Sequence, residues 1–109
     1  MERVGADAFD AGRLKRPGTW IVGFLADWCP FCRSFLPHLD SLRSPEGLGV
    51  LLADVTDEES PLWEAFGIDV VPTVVVFRDG APVYRRDGRL GRGLGPEDLR
   101  AIRASLTQG

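Results

Sequence analysis

The two cysteines of this chain, Cys29 and Cys32, stand three positions apart in Trp28-Cys29-Pro30-Phe31-Cys32-Arg33. Thiols at that spacing suit dithiol–disulfide exchange: one thiolate attacks a target disulfide, and a second thiol lies close enough to resolve the mixed disulfide that forms. They also suit half of a metal site. Structural zinc needs four ligands, however, and the chain has no second cysteine pair. His38 is the single histidine, and a six-residue step within one helix puts it on a different face from Cys32. Two cysteines so close together also argue against the disulfide framework of a small secreted domain. Exchange is therefore the expected chemistry, with no metal and no cofactor.

Exchange needs the first sulfur at the protein surface and activated. Trp20-Ile21-Val22-Gly23-Phe24-Leu25 is an apolar run of strand length, which predicts a strand buried on both faces. Asp27 to Pro30 reads as a turn, and Pro30 fits the first turn of the helix that follows. From Phe31 to Arg43 the apolar positions Phe31, Phe35, Leu39 and Leu42 recur at helical spacing, with Pro37 expected to kink the helix. Cys29 thus falls between a strand end and a helix start. Unpaired N–H groups and the positive end of the helix dipole stabilise a thiolate there. Cys32, one turn on, lies beside it but deeper. This makes Cys29 the nucleophile and Cys32 the resolving thiol, with Pro30 and Phe31 setting the stability of the ring between them.

The remaining elements complete the frame. Asp7 to Lys15, with Phe9, Ala11 and Leu14, predicts a short helix ended by Pro17-Gly18. Val50 to Val55 is a second buried strand. Ser60-Pro61 opens a helix whose face is Leu62, Trp63 and Phe66 and which Gly67 closes. Thr73 to Phe77 is a third strand, Arg78-Asp79-Gly80-Ala81 a hairpin turn, and Val83 to Arg86 the returning strand. A glycine-rich loop from Gly88 to Gly95 leads to an amphipathic helix, Pro96 to Leu106, with Leu99, Ile102 and Leu106 on one face. The order is αβαβαββα, with little room for a strand ahead of the first helix. Helices between the first three strands imply parallel crossovers, and the last two strands form an antiparallel pair. The fold class is α/β, a central mixed β-sheet flanked by helices on both faces.

A length of 109 residues suits one domain, residues 1–109, and 44% hydrophobic residues supply a core. The net charge of −3 gives no electrostatic reason to expect nucleic acid or an anionic membrane as partner. No run of about 18 apolar residues predicts a transmembrane helix. The N-terminal residues lack the layout of a secretion signal, so the chain reads as cytoplasmic.

Five separate signatures make the chain resemble the thioredoxin family from about Asp7 to Leu106. Asp7-Ala8-Phe9-Asp10 and Val22-Gly23-Phe24-Leu25-Ala26-Asp27-Trp28-Cys29 lead into the motif. Pro37 matches the family's kinking proline, and Gly67-Ile68-Asp69-Val70-Val71-Pro72-Thr73 matches the segment before its cis-proline. Phe77-Arg78-Asp79-Gly80 matches the hairpin turn, with Gly88 at the position of a glycine lining the substrate groove. The resemblance implies a thioredoxin-like fold and exchange with protein disulfides, most naturally as a protein disulfide reductase. It implies an electron donor such as a thioredoxin reductase, and a monomer. It also implies a cis Val71–Pro72 bond facing the sulfurs, with Val71 offering its backbone to an extended substrate strand. Trp28 is expected to flank Cys29, and Phe31 to contact partners or pack under the helix. Trp20 and Trp63 are expected in the core.

Two departures from the family stand out. Gly23 occupies the place of the buried aspartate beneath the resolving cysteine, and Ala53 that of the lysine paired with it. Losing both avoids an unpaired buried charge, and either a water in the space left by Gly23 takes the proton of Cys32 or resolution is slow near neutral pH. Asp54, in an otherwise apolar strand, either replaces the acid or points elsewhere. Proline also comes first between the cysteines, as in glutaredoxins and some disulfide-forming proteins, so an oxidase or isomerase is the alternative. A metal or iron–sulfur carrier and a redox-inactive binding module are the more distant ones. Arg85, Arg86, Arg89 and Arg92 read as protection of a sheet edge. Asp57-Glu58-Glu59 reads as a solvated helix start.

Overall fold

In the computed structural model, which describes residues 1–43 and 49–107, the apolar run around Gly23 is the middle strand of a five-stranded sheet. In chain order the strands are β1 (Glu2–Val4), β2 (Phe9–Asp10), β3 (Arg13–Leu14), β4 (Thr19–Leu25), β5 (Gly49–Asp54), β6 (Thr73–Arg78) and β7 (Ala81–Asp87). The helices are α1 (Pro30–Ser41), α2 (Leu62–Ala65) and α3 (Pro96–Leu106). The sheet order is β1-β5-β4-β6-β7, and β2 and β3 form a separate hairpin. β1 and β4 run parallel to β5, whereas β6 runs antiparallel to both β4 and β7.

Successive residues of a strand point to opposite faces, and β4 shows what each face carries. A Cβ on Gly23 would point into Leu39 of α1. The next residue, Phe24, stacks on the other face against Phe66 at 5.0 Å and Phe9 at 5.8 Å. Phe77 joins that aromatic cluster. Helix α3 lies with α1, its Arg103 donating to the Ser41 carbonyl at 3.2 Å. Helices therefore cover both faces of a mixed sheet, as the α/β reading requires.

Three details differ from the expectation. The helix expected over Asp7 to Lys15 is a single 3-10 turn (Ala6–Ala8) followed by the β2–β3 hairpin. Ala11 and Gly12 take positive φ of 50° and 76°, which reverses the chain within two residues. Phe9 and Leu14, spaced as a helix face, are buried cross-strand partners instead. A strand does precede this segment: β1, three residues long, adds to the free edge of β5. The third major strand is also not reached by a parallel crossover. Helix α2 has four residues and rises only about 6 Å, whereas β5 is about 20 Å long. The chain cannot travel back along the sheet and re-enters from the end it left, so β6 is antiparallel to β4.

Among the described residues no helix is long and apolar enough to cross a membrane.

Candidate active site

Cys29 is the N-cap of α1, with Pro30 at the first helical position. Its Sγ takes the role that a serine or aspartate oxygen plays at other helix starts, accepting the Cys32 backbone N–H at 3.4 Å. The same sulfur donates to the Val71 carbonyl at 3.5 Å. Sequence reasoning expects an exposed nucleophile, yet Cys29 is only 5% exposed. The strand end and the Val71 segment close around it, and it faces solvent through a cleft of about 200 Å³.

Cys32 is 2% exposed, and its Sγ accepts the Ala26 N–H at 3.5 Å. Burial, reinforced by the neighbouring Cys29, pushes its thiol up to about 12. Both cysteines are free thiols in this structure. Among the described residues no group of three or more histidine, cysteine or acidic side chains is placed to hold a metal ion.

The cleft walls bring together most of the expected residues. Trp28 is half exposed, donates its indole N–H to the Thr56 carbonyl at 2.9 Å, and stacks on Trp63 with centroids 6.3 Å apart and planes 9° from parallel. Phe31 is 38% exposed, and Val70 and Val71 form the far wall. Pro30 is exposed beside them. The Val71–Pro72 bond is cis. Gly88 is buried and does not itself line the cleft. A Cβ there would sit 2.4 Å from the Pro72 carbonyl oxygen, so only glycine lets the end of β7 pack against Pro72.

Sequence reasoning gave no site role to five residues that line the cleft: Trp63, Asp69, Val70, Leu90 and Gly91. Trp63, expected in the core, is half-buried and shares the wall with Trp28. Leu90, in the glycine-rich loop, is 88% exposed at the cleft rim. A large apolar residue among glycines and arginines was the one signal for it, and Leu94 in the same loop, which is buried, shares that signal. Trp20 is half-buried at the core edge under the Arg16 guanidinium, 4.9 Å from its ring.

The proposed water beneath the resolving cysteine is overturned by packing. A Cβ on Gly23 would meet Leu39 Cδ2 at 2.5 Å and Leu25 Cδ1 at 2.9 Å, so leucine methyls occupy the space of the absent side chain. Asp54 does not replace the acid. It accepts the Thr56 N–H at 2.9 Å and faces Arg3 at 3.4 Å, and the Thr56 hydrogen bonds hold its carboxyl below the usual range. A second cavity of about 200 Å³ does reach Cys32, lined by Leu25, Leu36 and Leu52 with Asp27 and Arg33 as its charged residues. Arg85, Arg86 and Arg89 near the sheet edge have acidic partners. Arg85 pairs with Asp87 and donates to the Phe66 carbonyl, and Arg86 pairs with the buried Asp98 at 2.7 Å.

A dithiol at a helix start, one sulfur facing a cleft and the other deeper, beside a cis-proline segment, is set within this sheet order. A sequence model of thioredoxin matches residues 2–94. The chain belongs to the thioredoxin family. It is 32% identical over 91 residues to thioredoxin from Rhodospirillum rubrum, covering 83% of this chain and 88% of that one. It is 35% identical over 83 residues to thioredoxin from Chlamydia caviae, covering 75% and 78%. Among solved structures, a mutant thioredoxin from Halobacterium salinarum superposes with a TM-score of 0.71 at 27% identity, covering 99% of this chain and 94% of that one. The protein is a thiol–disulfide oxidoreductase, and membership of the thioredoxin family brings protein disulfide substrates and a reductase partner in general.

Proposed function

We propose that this protein is a cytoplasmic, monomeric, single-domain protein disulfide reductase in which Cys29 is the nucleophile and Cys32 the resolving thiol. The observation that carries the reading is the asymmetry of the pair: Cys29 Sγ faces the cleft at the start of α1, and Cys32 lies one turn deeper. The Cys29 thiolate attacks one sulfur of a target disulfide. A bond forms between the two sulfurs, the target S–S bond breaks, and the target's other sulfur leaves as a thiolate and is protonated. Cys32 then loses its proton and attacks Cys29 Sγ. The mixed disulfide breaks, the target leaves with its second thiol, and the Cys29–Cys32 disulfide holds the oxidation until a donor such as a thioredoxin reductase returns two electrons. Val71 offers its backbone to the target strand, Trp28, Pro30 and Phe31 flank the sulfur, and Gly88 supports Pro72.

The test is the equilibrium redox potential of the pair in glutathione or dithiothreitol buffers, read from Trp28 fluorescence. Potentials of such pairs run from about −270 to about −120 mV. A value near the reducing end is expected. A value well above the cytosolic poise would replace the reductase with an oxidase or isomerase, the direction that Pro30-Phe31 would then have set.

A further inference from the structure

Five large hydrophobic residues are notably exposed among the described residues, and three of them, Trp28, Phe31 and Leu90, line the cleft that opens on Cys29. A singly exposed leucine is ordinary on a protein surface. Leu90 differs because the backbone fixes it. The Arg89 and Gly93 backbones exchange hydrogen bonds of 3.2 and 2.8 Å, and the Arg92 N–H donates to the Arg89 carbonyl at 2.9 Å. Gly91 and Gly93 supply the positive φ, 76° and 69°, that so tight a reversal needs. Gly93 lies directly against Phe31, so the turn is seated on the start of α1. Leu90 is thus held at the rim at 88% exposure.

We infer that the Arg89–Gly93 turn is a specificity element, and that Leu90 selects extended protein segments carrying an apolar residue within two positions of the target cysteine. The inference rests on the exchange reaction proposed at Cys29. A target sulfur in bonding reach of Cys29 Sγ places the neighbouring residues of its strand within about 3.3 Å steps of it. They fall on the cleft walls. Those walls are apolar but for Asp69, so an apolar neighbour is favoured and an acidic one meets like charge.

The test uses disulfide-bonded peptides with leucine, serine or aspartate scanned over the two positions on either side of one cysteine, and a small symmetric disulfide as reference. In the intact protein the best leucine peptide is expected to exceed its serine counterpart in kcat/KM by about 10-fold, the low end of what one apolar contact contributes to discrimination, with the aspartate peptide lower still. Leu90→Ser should bring the leucine-to-serine ratio to within about twofold of one, and Leu90→Met should restore it. A ratio that Leu90→Ser leaves unchanged, or a ratio near one in the intact protein, overturns the inference while leaving exchange in place. Failure of the intact protein to reduce even the small disulfide removes the exchange reading itself, and this inference with it.

Discussion

With its thiol pushed up to about 12 by burial, Cys32 keeps its proton at neutral pH, and only a small fraction is thiolate. The family position that would supply an acid beneath it is filled by Leu39 and Leu25 methyls around Gly23. Resolution should therefore follow the thiolate fraction. The decay of a mixed disulfide between Cys29 and a chromophoric thiol should quicken about tenfold per pH unit from pH 6 to 9. A plateau within that window would mean that a side chain is taking the proton. Gly23 itself should resist enlargement. Gly23→Ala is expected to cost about 1–3 kcal/mol by overpacking, measured by denaturant unfolding. In a Leu39→Ala background the same change should cost less, because the nearer of the two methyls it strikes is gone and only Leu25 Cδ1, at 2.9 Å, remains. Equal costs in the two backgrounds would break the link between Gly23 and Leu39.

Helix α3 starts at Gly95, which has no side chain with which to cap it, and the cap comes instead from Asp98 three residues on. One Asp98 oxygen accepts the Gly95 N–H at 2.7 Å and the other accepts Arg86 Nε at 2.7 Å, tying α3 to β7. Burial alone would raise the Asp98 carboxyl, but the Gly95 N–H together with Arg86 and Arg89 outweighs it and holds the group below its ordinary value. A depressed folded value means that the ionised form stabilises the fold above about pH 4, the unfolded value. That contribution is lost as pH falls through the lower, folded one. Thermal midpoints followed downward from pH 5 should fall more steeply in the wild type than in Asp98→Asn, which carries no such titration. At pH 7, Asp98→Ala should cost about 2–4 kcal/mol, through a lost cap and a broken charge pair. Parallel acid curves would deny Asp98 this role. Elements of this kind also show where the sequence was readable. The apolar runs of β4, β5 and β6, the Asp79-Gly80 turn and the Cys29–Pro30 helix start are local patterns, and each stands where its pattern placed it. The failures depend on contacts distant in sequence. Phe9 and Leu14 have helical spacing but pair across a hairpin, and Glu2–Val4 forms a strand only because the edge of β5 is open. Trp63 reads as core until Trp28, 35 positions earlier, offers it a stacking partner. Arg86, read as protection of a sheet edge, also pairs with Asp98, a buried partner 12 positions on that no local pattern shows.

The reactive end of the molecule gathers the C-terminal end of β4, the start of α1, the entry to β6 and the turn after β7. The junction of β4 and α1 meets the other two segments, both distant in sequence, because β6 enters the sheet from the end where β4 leaves it. The antiparallel entry that α2 is too short to avoid is what brings Val71 to Cys29. Position in the sheet then sets how rigidly each part is held. Strand β4 is paired on both sides, by β5 and β6, and Ile21, Val22, Phe24, Leu51, Val74 and Phe77 around it are wholly buried. Strand β1 has three residues and a single neighbour, and the β2–β3 hairpin has two residues on each side. Opening free energies follow such differences in burial and pairing, because an edge can leave without exposing the core whereas a central strand cannot. Native-state hydrogen exchange should find the slowest amides in Ile21–Phe24, Leu51–Ala53 and Val74–Val76, exchanging only by global unfolding. Amides of β1 and of the β2–β3 hairpin should exchange at least about 10²-fold faster. The Arg89–Gly93 turn, pinned by its own backbone bonds and seated on Phe31, should protect its Gly93 amide more than an ordinary loop would. A Gly93 amide that exchanges as fast as an unstructured peptide would mean that the turn is formed too rarely to hold Leu90 at the cleft.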